Sequence, residues 1–273
     1  MPKAGKPAVV PGRARSHPVL AVATFAVIFC LHLYYLLRIA LYGLVVRDTT
    51  RRYRRTAEWM HALGRRCARV IGRRVTVRGR IPAPGCLLTP NHIGYADIIA
   101  LSAVVPCFFV AKADVAGWPV VGWFASHLGY VFANRRRTKE MIHAGDELKE
   151  RLGQGCSVCL FAEGTSTGGD QVLPFRSSFL QPAVDVSATI VPVGIRWRTT
   201  RPGICISEDV AYWKDHAFVP HFFRFLGLRG IEAQITFGEP ISAAGGDRKV
   251  LAQEVRARVL ALAGVTESTD TPT

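Results

Sequence analysis

His92 and Asp97 stand five positions apart in the run Asn91-His92-Ile93-Gly94-Tyr95-Ala96-Asp97. An acid in the first turn of a helix just behind a histidine can hold one ring nitrogen. The other nitrogen is then free to act as a general base. A second motif, Phe161-Ala162-Glu163-Gly164-Thr165, lies further along the chain. Its glycine lets the backbone approach a ligand, and the run Gly164–Gly169 after it is small and polar. Both motifs come after apolar, strand-like runs, at the carboxyl ends where α/β proteins carry out their chemistry. Gly129-Tyr130-Val131-Phe132-Ala133-Asn134-Arg135 forms a third element. Its Arg135, with the two arginines after it, could receive a phosphate. Ile190-Val191-Pro192-Val193 is the fourth, an apolar strand that shapes a wall. Taken singly, each has an ordinary structural explanation: a satisfied histidine, a turn, solvated arginines, a buried strand.

The elements that must position these residues alternate. Strands are expected at Val75–Val77, Gly85–Leu88, Cys107–Ala111, Tyr130–Ala133, Ser157–Ala162, Thr189–Ile195, Ile204–Ile206 and Ala233–Phe237. Helices are expected over Tyr95–Val104 and over Thr138–Leu152, the latter ended by Gly153. A last helix is capped by Asp247, with Val250, Leu251, Val255, Val259 and Leu262 on one side. Such alternation predicts an α/β fold with a mixed, mostly parallel sheet flanked by helices. The apolar stretch Val115–Phe124 reads as core packing, with the wall of a pocket as the alternative. Residues 266–273 read as a disordered polar tail.

The 273-residue chain has a net charge of +15, and the location of that charge is informative. Residues 1–80 hold 17 Lys and Arg against 2 Asp and Glu, whereas the remainder holds 18 of each sign. Val19 to Val46 is almost wholly apolar, interrupted by His32 and Arg38, and is long enough to span a bilayer. No small-residue cleavage site succeeds it. Instead, an arginine cluster runs from Arg47 through Arg74 and favours the cytoplasmic side and an anionic lipid surface. Residues 53–71 read as a basic amphipathic helix. Two geometries are open: one spanning helix, or a helix pair embedded in a single leaflet. Nucleic-acid binding by the arginines is the weaker alternative, because the cluster abuts a lipid-scale apolar segment. The expected organisation is a basic segment at 1–18, a membrane anchor at 19–74, a catalytic domain at 75–264 and a tail at 265–273.

Seven scattered cysteines give no disulfide framework, so a reducing cytosolic face is the default. Cys156 and Cys159 form a lone C-x-x-C without a second ligand pair, and they read as two buried small apolar side chains.

In this order, the four elements resemble the 1-acylglycerol-3-phosphate O-acyltransferase family. Its patterns are N-H-x4-D, G-x-x-F-x-x-R, F-P-E-G-T-R-S and a V-P strand. The resemblance covers roughly Leu87 to Ile195, and the apolar N-terminal segment also fits. It implies that His92 deprotonates an acceptor hydroxyl, which attacks an acyl thioester, while Asp97 orients His92. It further implies that Arg135 holds the anionic head of the acceptor, that Glu163 and Gly164 position the acceptor, and that Thr165 supports their loop. Pro192 would lie near the acyl donor. No metal, cofactor or covalent acyl-enzyme is implied. The co-substrate would be an acyl-CoA or acyl carrier protein thioester, and the remaining partners membrane lipids. Two departures stand out: Ala162 replaces the family's proline, and Ser166 replaces its arginine. Arg176, in Pro174-Phe175-Arg176-Ser177-Ser178, is a candidate substitute cation. The run from Glu163 to Ser178 looks like a bacterial subgroup that includes lyso-ornithine-lipid acyltransferases.

The activity expected from this resemblance is acylation of 1-acyl-sn-glycerol-3-phosphate to phosphatidic acid at the cytoplasmic face of the inner (plasma) membrane. Lyso-ornithine lipid is the alternative acceptor. A non-catalytic lipid-surface protein and a hydrolase using the same base are readings of other classes. The chain has no G-x-S-x-G elbow to support a serine hydrolase.

Overall fold

The computed structural model describes residues 14–118, 120–134 and 138–265. Two helices open the chain, α1 (Pro18–Val45) and α2 (Thr49–Ile71). Asp48 starts α2 by accepting the Arg51 N–H at 2.7 Å, and Gly72 ends it in the left-handed region at φ 71°. The rest alternates strands and helices: β1 (Arg74–Arg78), β2 (Cys86–Pro90), α3 (Tyr95–Ser102), β3 (Phe108–Lys112), α4 (Ala113–Ala116), α5 (Val121–His127), β4 (Val131–Ala133), α6 (Thr138–Gly153) and β5 (Val158–Cys159). The chain continues through α7 (Gln181–Asp185), β6 (Thr189–Thr199), α8 (Ile206–Asp209), α9 (Phe218–Gly227), β7 (Ile231–Phe237), β8 (Ile241–Ser242) and α10 (Arg248–Ala263).

The strands form one sheet in the order β1-β7-β6-β2-β5-β3-β4, with β8 also on β6. Every pairing is parallel except β6 with β7 and β6 with β8. The mixed, mostly parallel sheet flanked by helices is therefore the architecture expected from the alternation. β2 lies at its centre and is buried at every position, as a strand covered on both faces must be. Leu88 joins the apolar layer built with α1, α2, α3 and α9, and Leu87 joins the layer built with α6, α7 and α10.

Several local expectations give way to tertiary context. β5 is two residues long, because the chain leaves the ladder after Leu160 and turns, with the Gly164 N–H closing on Phe161 O at 2.9 Å. The strand expected at Ile204–Ile206 is instead the entry to the single turn α8. Asp209 Oδ2 accepts the Cys205 N–H at 2.9 Å and closes it. β6 runs to Thr199, four residues beyond the expected end, because β7 pairs with it antiparallel from Val193 to Thr199. On α10, Asp247 is the cap, accepting from the Lys249 and Val250 N–H groups, but the Val250 side chain is exposed rather than packed. Arg73 leaves the surface cluster altogether. It is buried, and its guanidinium donates to the carbonyls of Ile71, Phe225 and Leu228, tying the end of α2 to the end of α9. Burial pushes its pKa down to about 9. Cys156 and Cys159 are buried free thiols, as their apolar surroundings suggest.

α1 is, among the described residues, the one helix long and apolar enough to cross a membrane. It nevertheless lies against the domain over much of its length. At its start, the Ala14 N–H donates to Gly203 O at 2.7 Å and the His17 N–H to Gly227 O at 3.2 Å. Phe25 packs on Phe223 of α9, and Phe29 and His32 pack on Phe124 of α5. Further along, Arg38 lies over the Trp59 ring of α2 at 4.7 Å. Its opposite side leaves Val19, Val22, Val27, Leu33, Leu37, Leu41 and Leu44 exposed.

Candidate active site

β2 and β5 are parallel neighbours, with Leu87 opposite Val158 and Leu88 opposite Cys159. Both strands end at the same edge, so the His92 loop and the Glu163 loop meet there. β6, on the other flank of β2, pairs through Pro90↔Val193 and then continues beyond it. Asn91 uses that overhang: its side chain donates to Ile195 O at 3.0 Å and accepts from the Ile195 N–H at 2.7 Å.

His92 and Asp97 are joined as the spacing predicts. Asp97 Oδ2 accepts from His92 Nδ1 at 3.0 Å, and also from the N–H groups of Ile93 at 2.6 Å and Gly94 at 3.2 Å. Asp97 is fully buried. A carboxylate only accepts, so the neutral imidazole carries its hydrogen on Nδ1 and leaves Nε2 as the basic nitrogen. The ring stacks on Phe161 with centroids 3.7 Å apart. Gly94 permits the turn between His92 and α3. Its φ of 140° excludes a side chain, and a Cβ there would meet Tyr212 Cβ at 2.8 Å and Tyr212 N at 2.9 Å.

Glu163 does not reach outward. Its Oε1 accepts the His92 N–H at 2.7 Å and its Oε2 accepts the Leu173 N–H at 2.7 Å, and the side chain is buried. Burial pushes its pKa up to about 8, against the pull of these two donors. Gly164 takes the left-handed φ of 76° and borders the cavity. Thr165 is exposed. The hydroxyl that supports the loop belongs to Thr167, whose N–H also donates to His92 O at 2.9 Å. Arg256 of α10 holds the far end of the loop through the carbonyls of Val172 and Leu173.

Ser166, in the place of the family's arginine, donates its hydroxyl to Tyr212 O at 2.6 Å. Arg176 caps a short 3-10 turn, with its N–H on Ala162 O at 2.9 Å and its side chain exposed. Pro192 is buried inside β6 and is not among the residues bordering the cavity. Its carbonyl accepts the Gly238 N–H at 2.9 Å, so its missing N–H faces the gap where β8 has ended and β7 has not begun. Arg135 lies outside the described residues.

His92, Gly94, Gly164, Ser166 and Tyr212 border a cavity of about 380 Å³. The rest of its wall is mainly apolar. Phe25, Ile28 and Phe29 of α1 contribute to it, as do Ile98 and Ile99 of α3 and Val115, Trp118, Val121 and Phe124 from the α4–α5 region. The stretch Val115–Phe124 therefore forms a cavity wall as well as core. Tyr212 and Trp197 had no sequence signal, because each acts through a contact between distant segments, Tyr212 with Ser166 and Trp197 with Asp97. Among the described residues no cluster of His, Cys, Asp and Glu could hold a metal ion.

Comparison to known proteins identifies the family and the fold. The sequence model of the family described as Acyltransferase matches residues 74–196. A lyso-ornithine lipid O-acyltransferase of Brucella abortus is 34% identical over 223 residues, covering 77% of this chain and 82% of its own. Its counterpart from Pseudomonas aeruginosa is 33% identical over 226 residues, covering 82% and 84%. A 1-acyl-sn-glycerol-3-phosphate acyltransferase of Neisseria gonorrhoeae is 35% identical over 131 residues, 44% of this chain and 51% of that one. In fold, the chain matches the crystal structure of the 1-acyl-sn-glycerophosphate acyltransferase PlsC from Thermotoga maritima. The TM-score is 0.64 at 20% identity, over 92% of this chain and 97% of that one. The chain is an acyltransferase and belongs to the family that includes the lyso-ornithine lipid and 1-acyl-sn-glycerol-3-phosphate acyltransferases.

Proposed function

We propose that this enzyme moves a fatty acyl group from an acyl-CoA or acyl carrier protein thioester to the hydroxyl of lyso-ornithine lipid. The observation that carries the chemistry is the His92–Asp97 pair at the wall of an otherwise apolar cavity. His92 Nε2 takes the proton from the acceptor hydroxyl as its oxygen attacks the thioester carbonyl. The carbon–sulfur bond then breaks, and the thiolate leaves with the proton. Asp97 keeps Nδ1–H in place and stabilises the transient imidazolium. The thioester supplies the driving force, so positioning and base catalysis suffice without a metal or cofactor. The apolar wall suits a fatty chain.

Two observations favour the ornithine acceptor. The relatives of that name align over most of both chains, and Ser166 stands where a phosphate-binding arginine is expected, its hydroxyl already committed to Tyr212. An acceptor without a phosphomonoester needs one cation fewer. Acylation of 1-acyl-sn-glycerol-3-phosphate is the second reading, supported by the Neisseria relative.

The contacts of α1 favour a helix pair embedded in one leaflet, and the arginine cluster favours the cytoplasmic side. A 28-residue helix is about 42 Å long. Its start is tied to the domain through Gly203 and Gly227, and α2 returns the chain to β1. A helix held along the domain in this way offers the bilayer its exposed apolar side, with the α2 arginines at the headgroups.

The test is acyl transfer by detergent-purified protein from a labelled thioester, with both lysolipids offered side by side. Label in ornithine lipid is expected. Label only in phosphatidic acid would overturn the acceptor, and label in neither would overturn the activity.

A further inference from the structure

Asp97 has two carboxylate oxygens, and the motif loop accounts for one of them. Oδ2 gathers His92 Nδ1, Ile93 N–H and Gly94 N–H. Oδ1 receives a single described donor, the indole Nε1–H of Trp197 at 2.8 Å, from a residue 100 positions away. Trp197 is itself buried, at 8% exposure. It lies on the part of β6 that extends past the end of β2, two residues after Ile195, whose backbone holds Asn91. The overhang of β6 thus grips the loop at both its ends, at Asn91 through the Ile195 backbone and at Asp97 through the Trp197 indole. Across the antiparallel ladder, the partner of Trp197 is Ala233, a small side chain beside the indole.

We infer that Trp197 is a positioning residue for the reaction, acting on His92 through Asp97. The inference rests on the reading of His92 as the base. Without the indole donor, a fully buried carboxylate oxygen has no described partner, which is among the costlier defects a buried site can carry. The carboxylate would then be free to turn about its own bond and no longer present Oδ2 squarely to Nδ1. The indole also draws negative charge toward Oδ1. It thereby lowers the charge that Oδ2 presents to the imidazole.

The test is Trp197→Phe in the full-length, detergent-purified protein, beside His92→Ala. Phenylalanine keeps a planar apolar ring and removes the N–H. The expected result is a fall in kcat of about 10- to 100-fold with KM for both substrates little changed. The acid limb of the kcat/KM profile should move to higher pH, and the downfield proton resonance of His92 Nδ1–H should shift. Glu163 touches His92 only through its backbone N–H and is left in place by this change. A purely structural tryptophan would lower the folded fraction but leave the pH limb and the resonance of the folded fraction where they were. That outcome, or an unchanged kcat, overturns the inference. Should the phenylalanine variant fail to fold, the benzothienyl analogue of tryptophan introduced at this one position removes the N–H at nearly constant shape, with the same two readouts. If His92→Ala retains activity, the base assignment fails. If His92→Ala is inactive and Trp197→Phe shows the unmoved limb, only the role of Trp197 fails.

Discussion

The backbone N–H of His92 donates to Glu163 Oε1 at 2.7 Å, across 71 residues of sequence. The other oxygen of Glu163 takes the Leu173 N–H at the same distance. One buried carboxyl therefore fastens the base loop to both ends of the loop after β5. Glu163 thus ties the two loops of the site together.

The ionisation of Glu163 should be visible in stability. Burial raises its pKa from 4.5 to about 8, so folding favours the protonated form. That contribution is complete below the unfolded value and is lost as pH rises through the folded one. Between pH 5 and 8.5 the melting temperature of the wild type should fall relative to Glu163→Gln by at least about 3 °C. Parallel melting curves across this range would show that the group does not titrate there.

Replacing His92 tests its proposed role as the base. His92→Ala should fold normally by circular dichroism and lose roughly 10²–10⁴ in turnover of the labelled thioester, the range for losing a general base. More than a tenth of the wild-type rate would remove His92 from that role.

Gly94 is a backbone requirement. Gly94→Ala places a methyl 2.8 Å from Tyr212 Cβ at a φ of 140°, which L-residues avoid. The loop must shift, at a cost of order 1–3 kcal/mol. Activity should drop at least tenfold, with Phe161 no longer stacked on His92, a change visible in a crystal structure of the variant.

Charge on the outer side of α1 separates anchoring from chemistry. Leu37 and Leu41 are both exposed. The double change Leu37→Asp with Leu41→Asp should reduce co-sedimentation with anionic vesicles at least tenfold. Turnover of a short-chain, water-soluble lysolipid should stay within about twofold of wild type. Equal losses in both assays would place these leucines in the fold or the site.

The sequence by itself determined the family and the class of fold. His92 and Asp97 are five residues apart, so one loop and one helical turn suffice to join them, and the apolar runs before each motif name the strands that carry them. The length of α1 and the arginines of α2 were equally legible, because composition over some 20 residues needs no partner to be read. Only the tertiary structure decided what depends on strand order. That β6 flanks β2 and outruns it brings Ile195 to Asn91 and Trp197 to Asp97. That β5 lies on the other side brings Glu163 under His92. That α1 lies on α9 and α5 makes an apolar helix into a cavity wall. Such contacts join segments roughly 70 to 200 residues apart, and parallel pairing between distant strands leaves no local periodicity from which to read them.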